Sequence, residues 1–364
     1  MHILYIESFP VRLPRDLDSA RGTAGSPTPL TGSGDYRWST AYPVIYSIHI
    51  ETALVKVTLD SGLVGWGEAQ APVAPEVACA VIDRILAPML VGQEFTSPQE
   101  LWQTMYDTMR VRGQTGGFML DAISGLDIAF WDLAGKLAGK PICELLSKTP
   151  KALVPAYLSG VPNVDYARRY RDEGFSQCKL YYDTDWNALL HLMDELPEWR
   201  VAVDGLWHMD PAQAPSLDER NALWLEAPLL PEDPIAHGAL ARSIRTPIAL
   251  GESYRTCFEL APFFRENAMR IVQPDLGRSG ITEGMRIAAI SPAIVPHVSI
   301  ALGPQIAAAI HFAAALDNCA LCEYNPRVLE VANRFLKSPL RLQGAAYAVP
   351  QGPGLGIEMN WGNS

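Results

Sequence analysis

No run of apolar residues in this sequence approaches the roughly 20 that a membrane-spanning helix needs, and no cluster of Lys or Arg exceeds a few residues. With a formal net charge of −11, the second absence argues against a nucleic-acid surface and for a small-molecule ligand or a cation. Cysteine is also scarce. The six residues Cys79, Cys143, Cys178, Cys257, Cys319 and Cys322 are scattered except for one C-x-x-C pair. No second cysteine or histidine pair accompanies Cys319 and Cys322, so buried strand residues are expected there in preference to a zinc half-site or redox pair. Met1 to Pro10 is apolar but too short for a secretory h-region with its flanks, and reads as a first strand. The expectation is a cytoplasmic protein with reduced thiols and neither membrane nor nucleic-acid partners.

What is present is an ordinary globular composition, 48% apolar and 19% charged, in 364 residues. That length exceeds one ordinary core, so a small domain attached to a larger one is expected. An acidic chain that binds an acid needs a local positive centre, either a metal or a few focused Lys and Arg side chains.

Residues 1–145 read as an α+β capping domain. A strand is followed by a Gly/Pro/Ser-rich stretch, 14–42, whose length suits a lid over a neighbouring site. Val55, Val57 and Leu59 then alternate with polar neighbours, Asp60-Ser61-Gly62 turns the chain, and Leu63 to Glu68 returns as a hairpin. Three helices are expected next; the clearest carries Ile123, Leu126, Phe130, Leu133 and Leu137 and ends at Gly139.

From 150 to 342 short apolar segments alternate with helical ones. Strands are expected at 153–158, 177–181, 200–203, 222–225, 247–250, 270–272, 293–295 and 319–321, with helices such as 185–196 and 304–316 between. Such strict alternation implies a parallel sheet, and eight strands imply a closed α/β barrel. Residues 343–364 return to turn-rich sequence and are expected to pack on the first domain.

Polar residues stand at the C-terminal ends of these strands at intervals of 22 to 26 residues: Lys179, Asp204, Glu226, Glu252, Asp275, His297 and Glu323. Any one alone would read as a helix N-cap or a solvated loop group. Seven in phase project from one rim of successive strands, where barrel enzymes carry their chemistry. Asp204, Glu226 and Glu252 converge as an oxygen ligand set suited to a hard cation such as Mg2+. Asp275 on the strand beside His297 can fix the imidazole tautomer and raise its basicity, and Lys179 supplies fixed positive charge.

These residues come in a recognisable series: Gly65-Trp66-Gly67-Glu68, Ile128-Ala129-Phe130-Trp131-Asp132, Lys179-Leu180-Tyr181, Val203-Asp204, Leu225-Glu226-Ala227-Pro228, Gly251-Glu252-Ser253, Gln273-Pro274-Asp275, Pro296-His297, Glu323-Tyr324 and Pro353-Gly354-Leu355-Gly356. In this order and spacing the chain resembles the mandelate racemase and muconate lactonizing enzyme-like subgroup of the enolase superfamily. The resemblance implies a modified TIM barrel of (β/α)7β type with its active site under the capping domain. It implies magnesium on Asp204, Glu226 and Glu252 gripping a substrate carboxylate, a catalytic dyad of Asp275 and His297, and Lys179 and Glu323 facing the developing enediolate.

Two positions depart from the family pattern. The second lysine of its K-x-K element is Tyr181, either a wall residue or an acid/base group, and a polar residue two places past the first metal ligand is Leu206. His208, and Arg15, Arg21 and Arg37 in the lid stretch, are candidates for holding the far end of a substrate, set against the plainer reading of solvated loop side chains. A homo-oligomer acting on a small-molecule carboxylate is expected. With one obvious base, the favoured reaction is dehydration of a sugar acid, an aldonate or aldarate, to a 2-keto-3-deoxy acid. A racemase or epimerase, a lactone cycloisomerase, and a non-catalytic barrel that binds metal and acid are the alternatives.

Overall fold

The computed structural model describes residues 1–14, 30–40, 44–182, 185–299 and 301–361. Strand β1 (Ile3–Pro14) pairs antiparallel with β5 (His49–Leu59), which pairs with β6 (Val64–Ala69). Alternation decides which side of β5 is covered: Val55, Val57 and Leu59 are fully buried against the helices Pro98–Arg110 and Gly117–Ala138. The second helix lies directly on β6, and glycine permits the approach. A Cβ on Gly67 would stand 1.9 Å from the Gly125 carbonyl oxygen, so any side chain there would force sheet and helix apart. Gly139 at φ 65 ends this helix in the left-handed region.

The lid stretch is not all loop. Its second half enters a small antiparallel sheet of β2 (Leu30–Thr31), β3 (Tyr36–Ser39) and β4 (Ile45–Ser47). Short segments of aromatic and β-branched residues sufficed to pair there despite the Gly/Pro-rich surroundings.

The remaining strands form the barrel: β7 (Leu153–Leu158), β8 (Gln177–Tyr181), β9 (Arg200–Asp204), β10 (Leu225–Glu226), β11 (Ile248–Leu250), β12 (Ile271–Val272) and β13 (Cys322–Tyr324). They run parallel in the order β12-β11-β10-β9-β8-β7-β13. The ring closes through isolated parallel bridges, Val272 to Ile294, Asp275 to His297 and Ile294 to Cys319. The expected strand at 293–295 is thus one bridging position on each side, and the last strand lies three residues later than its apolar run suggests. Alternation explains the second shift: Cys322 and Tyr324 face the surrounding helices, and Glu323 points into the ring. Seven helices follow the first seven segments, from Val164–Arg171 to Pro304–Ala315, giving the (β/α)7β order. Tyr157, Ala202, Trp224, Ala249 and Val295 fill the interior.

A last strand, β14 (Ala346–Ala348), pairs antiparallel with β7. Beyond it the Ile142 amide donates to the Gly354 carbonyl at 3.0 Å, the Leu355 amide donates to Asp132 Oδ1 at 2.9 Å, and Trp361 meets Phe9 with ring centroids 5.5 Å apart. Cys319 and Cys322 are buried and carry no disulfide. Among the described residues no helix is long and apolar enough to cross a membrane.

Candidate active site

The strand register brings the rim residues together. Glu226 stands beside Asp204 in the β9–β10 ladder and beside Ala249 in the β10–β11 ladder, with Glu252 three residues further on. Lys179 lies midway along β8 with its side chain 1% exposed and its Nζ 2.6 Å from Glu226 Oε1, 3.2 Å from Glu323 Oε1 and 3.5 Å from Asp204 Oδ2. Opposite it, His297 places Nδ1 2.9 Å from Asp275 Oδ2 and Nε2 3.1 Å from Glu252 Oε2. All seven phased residues therefore belong to one cluster.

Residues to which the sequence assigns no role of their own brace it. Gln273 Nε2 and Trp224 Nε1 donate to Glu226 Oε2 at 2.7 and 3.0 Å. Trp207 Nε1 donates to Glu252 Oε1 at 2.8 Å. Asp275 is held by the Gln305 amide at 2.7 Å, the Ser299 hydroxyl at 3.0 Å and the Gly277 amide at 2.9 Å, so its carboxylate cannot swing away from the imidazole. Gln305 is held in turn: its backbone amide and that of Leu302 donate to Glu68, buried on β6 of the capping domain.

The charges are unbalanced. Among the described residues, Asp204, Glu226, Glu252, Asp275 and Glu323 form ion pairs with Lys179 and His297 alone. Burial, then the neighbouring Glu226, push the Asp204 carboxyl well above the usual range, against the pull of Lys179. Burial would lower His297, but Glu323, Glu252 and Asp275 override it and push the imidazole up to about 10. Glu323 goes the other way: burial opposes its charge, yet Lys179 and His297 bring it down to about 2, and it accepts a hydrogen bond from the Val298 amide at 3.0 Å. Lys179 stays charged despite burial because Glu226 and Glu323 face it.

This donor set fits a hard dication. Three carboxylates arrive from adjacent strands, and the acidic excess around Asp204 is the charge such an ion would neutralise. Among the described residues, Glu226, Glu252 and His297 bring ligand atoms within 4.8 Å of one another. Asp204 stands on the Lys179 side of that group.

Tyr181 places its hydroxyl 2.8 Å from Ser159 Oγ, with its ring 5.3 Å from the Lys179 ammonium. Burial raises this phenol further than Lys179 lowers it, so it stays protonated. His208 turns Nδ1 to the Leu206 carbonyl at 2.9 Å and stacks on Tyr182 with centroids 5.1 Å apart. Arg37 donates to the carbonyls of Gly34 and Tyr36 in its own hairpin. Arg15 and Arg21 lie outside the described residues.

Beside Glu252 a cavity of about 670 Å³ opens towards the capping domain. Its wall includes Leu206, Trp207, Met209, Leu229 and, from the small sheet, Tyr46.

Residues 163–363 match the family described as enolase C-terminal domain-like, and residues 36–147 match the mandelate racemase/muconate lactonizing enzyme N-terminal domain. A D-galactarolactone cycloisomerase from Agrobacterium fabrum is 31% identical over 84% of this chain and 88% of its own length. A D-galactonate dehydratase from Ralstonia pickettii is 31% identical over the same shares of the two chains. Among solved structures, a member of the enolase superfamily from Agrobacterium tumefaciens superposes with a TM-score of 0.92 at 30% identity, covering 99% of this chain and 97% of that one. With both domains matched and the ring of acids assembled at the barrel mouth, the chain belongs to the mandelate racemase and muconate lactonizing enzyme-like group of the enolase superfamily.

Proposed function

We propose that this protein removes the proton α to a carboxylate and expels an oxygen substituent from the β-carbon, most simply dehydrating a sugar acid to a 2-keto-3-deoxy acid. The observation that carries this reading is the unlike acid/base character of two groups in the site. His297, held by Asp275, is an imidazole built to exchange a proton at Nε2, while Tyr181, beside Lys179, is a half-buried phenol kept un-ionised. A racemase needs a competent base on each face; an elimination needs one base and one proton donor.

Asp204, Glu226 and Glu252 are the residues that would hold magnesium, the ion bound by members of this superfamily. When bound there it supplies positive charge to the substrate carboxylate, lowering the cost of the second negative charge that deprotonation creates. Lys179, already charged and buried, presents its protons to the same oxygens. Glu323, Glu252 and Asp275 hold the imidazole protonated until positive charge held on Glu252 would offset them; the neutral His297 then takes the α-proton, and Asp275 keeps Nδ1 protonated so that Nε2 is the accepting atom. As the β-carbon–oxygen bond breaks, the electron pair left on the α-carbon forms the carbon–carbon double bond. The departing hydroxide takes a proton from His297 or Tyr181 and leaves as water, and the enol becomes the ketone.

Names of relatives support both this reaction and a second reading, opening of a lactone ring, which shares the deprotonation and differs in the leaving oxygen. The complete set of rim residues speaks against a non-catalytic barrel. Incubation with a stereochemical panel of sugar acids and their lactones, assayed for 2-keto product and for α-deuteration in heavy water, tests the proposal. Absence of both signals across the panel would overturn it.

A further inference from the structure

Past β9 the chain makes a turn that its own residues disfavour. Leu206 and Trp207 are consecutive in the left-handed region, at φ 49 and φ 63, where a β-carbon is crowded and Gly or Asn is ordinarily found. The turn is imposed by its hydrogen bonds: the Leu206 amide donates to Asp204 Oδ1 at 3.0 Å, the Trp207 amide to the Ala227 carbonyl at 2.7 Å and the Met209 amide to the Pro228 carbonyl at 3.0 Å. Strain held in this way at a barrel mouth marks residues placed for a purpose. Its effect is to present Leu206, Trp207 and Met209 to the cavity beside Glu252, facing Leu229 and Leu230.

Three polar groups on that wall are engaged elsewhere. The Trp207 indole donates to Glu252, His208 Nδ1 is turned to the Leu206 carbonyl, and Asp233 Oδ1 caps the helix Pro234–Ser243 by accepting from the Ala236 amide at 2.9 Å. An open polyol chain laid here would lose water from its hydroxyls and gain few partners, weakening binding by roughly tenfold for each one left unpaired. A ring or a deoxygenated chain would bury carbon against carbon instead.

We propose that Leu206, Trp207 and Met209, with Leu229 opposite, form a specificity compartment that selects a carboxylate substrate presenting an apolar face beyond its reacting carbons, ring-closed or deoxygenated, over an open polyol acid. The inference rests on the assignment of deprotonation to the neighbouring His297, and it narrows the substrate class of that site. Leu206 is its determinant. It occupies a backbone conformation that asparagine tolerates better, so Leu206→Asn makes the wall polar and keeps the turn.

The test is calorimetric titration of the magnesium-loaded protein with open-chain C6 aldonates and aldarates and with their lactone, anhydro-ring and deoxy counterparts, paired with α-proton exchange in heavy water. Ring-closed or deoxy acids should bind at least about tenfold tighter to the natural protein. Leu206→Asn, and independently Leu229→Asn on the opposite wall, should reduce that ratio severalfold. Equal or tighter binding of the open polyols, or a ratio unmoved in both variants, overturns the proposal. The expected binding preference without exchange of any acid would uphold the compartment and overturn the proposed chemistry; binding of neither class overturns both.

Discussion

The Tyr181 hydroxyl lies 2.8 Å from Ser159 Oγ, and the Lys179 ammonium stands 5.3 Å from the centre of the same ring. A cation so near would be expected to make the phenol more acidic, but burial outweighs it and Tyr181 remains a donor. Tyr181→Phe should therefore slow formation of the keto product by about 10- to 100-fold while α-proton exchange continues, as followed by proton NMR in heavy water beside a keto-acid assay. Loss of exchange from one of two α-epimers would instead make Tyr181 a second base and the enzyme an epimerase.

Lys179 is the cation around which Asp204, Glu226 and Glu323 are packed. Replacing it by methionine strands buried carboxylates, a defect of about 3–5 kcal/mol. Urea denaturation should show this loss in full without magnesium and a smaller loss with it, because the ion would then carry part of the neutralisation. Equal losses under both conditions would place the ion away from these carboxylates.

Chelation gives a third expectation. Dialysis against EDTA should abolish turnover, and magnesium should restore it. Magnesium at about a hundred times its Kd should also raise stability by about 2.7 kcal/mol, read as a concentration-dependent rise in Tm. An unchanged Tm together with full activity after chelation would exclude the metal reading.

Glu68 is the cap-to-barrel link whose titration is exposed to experiment. Burial pushes its carboxyl up to about 7, and Asp275 adds to this, against the hydrogen bonds from Leu302, Gln305 and Thr52. A carboxyl raised above its unfolded value favours folding while protonated; that contribution is whole below about pH 4 and is lost as pH rises through about 7. Glu68→Gln removes the titrating group. The fall in stability between about pH 5 and pH 8 should thus be smaller in the variant by about 1–3 kcal/mol, on top of a pH-independent loss of about 1 kcal/mol for an altered hydrogen bond. Asp127, also raised to about 7 by burial, contributes equally to both proteins. Parallel stability curves would show that Glu68 keeps its ordinary acidity.

Much of this site was legible because a barrel repeats. One β/α unit takes a nearly fixed length of chain, so Lys179, Asp204, Glu226, Glu252, Asp275, His297 and Glu323 betray their common rim by interval alone. Their braces do not. Gln305 lies in the first turn of a helix and Glu68 in another domain, and only the closed fold brings them behind Asp275. Trp207 reaches Glu252 because two residues adopt left-handed backbone, a conformation that Leu and Trp give no reason to expect. The seventh strand is legible as apolar sequence but bridges its neighbours only at Ile294 and His297, and the last apolar run, 319–321, precedes the segment that pairs with β7.

The central claim is that His297, fixed by Asp275 at 2.9 Å, is the base that takes the α-proton. Its direct test is the rate of α-deuteration of a turned-over acid in heavy water by His297→Asn, with magnesium affinity measured on the same protein by calorimetry. Exchange should fall by about 10²- to 10⁴-fold with magnesium affinity little changed; exchange at the natural rate in a variant that still binds the ion would assign the base to another residue.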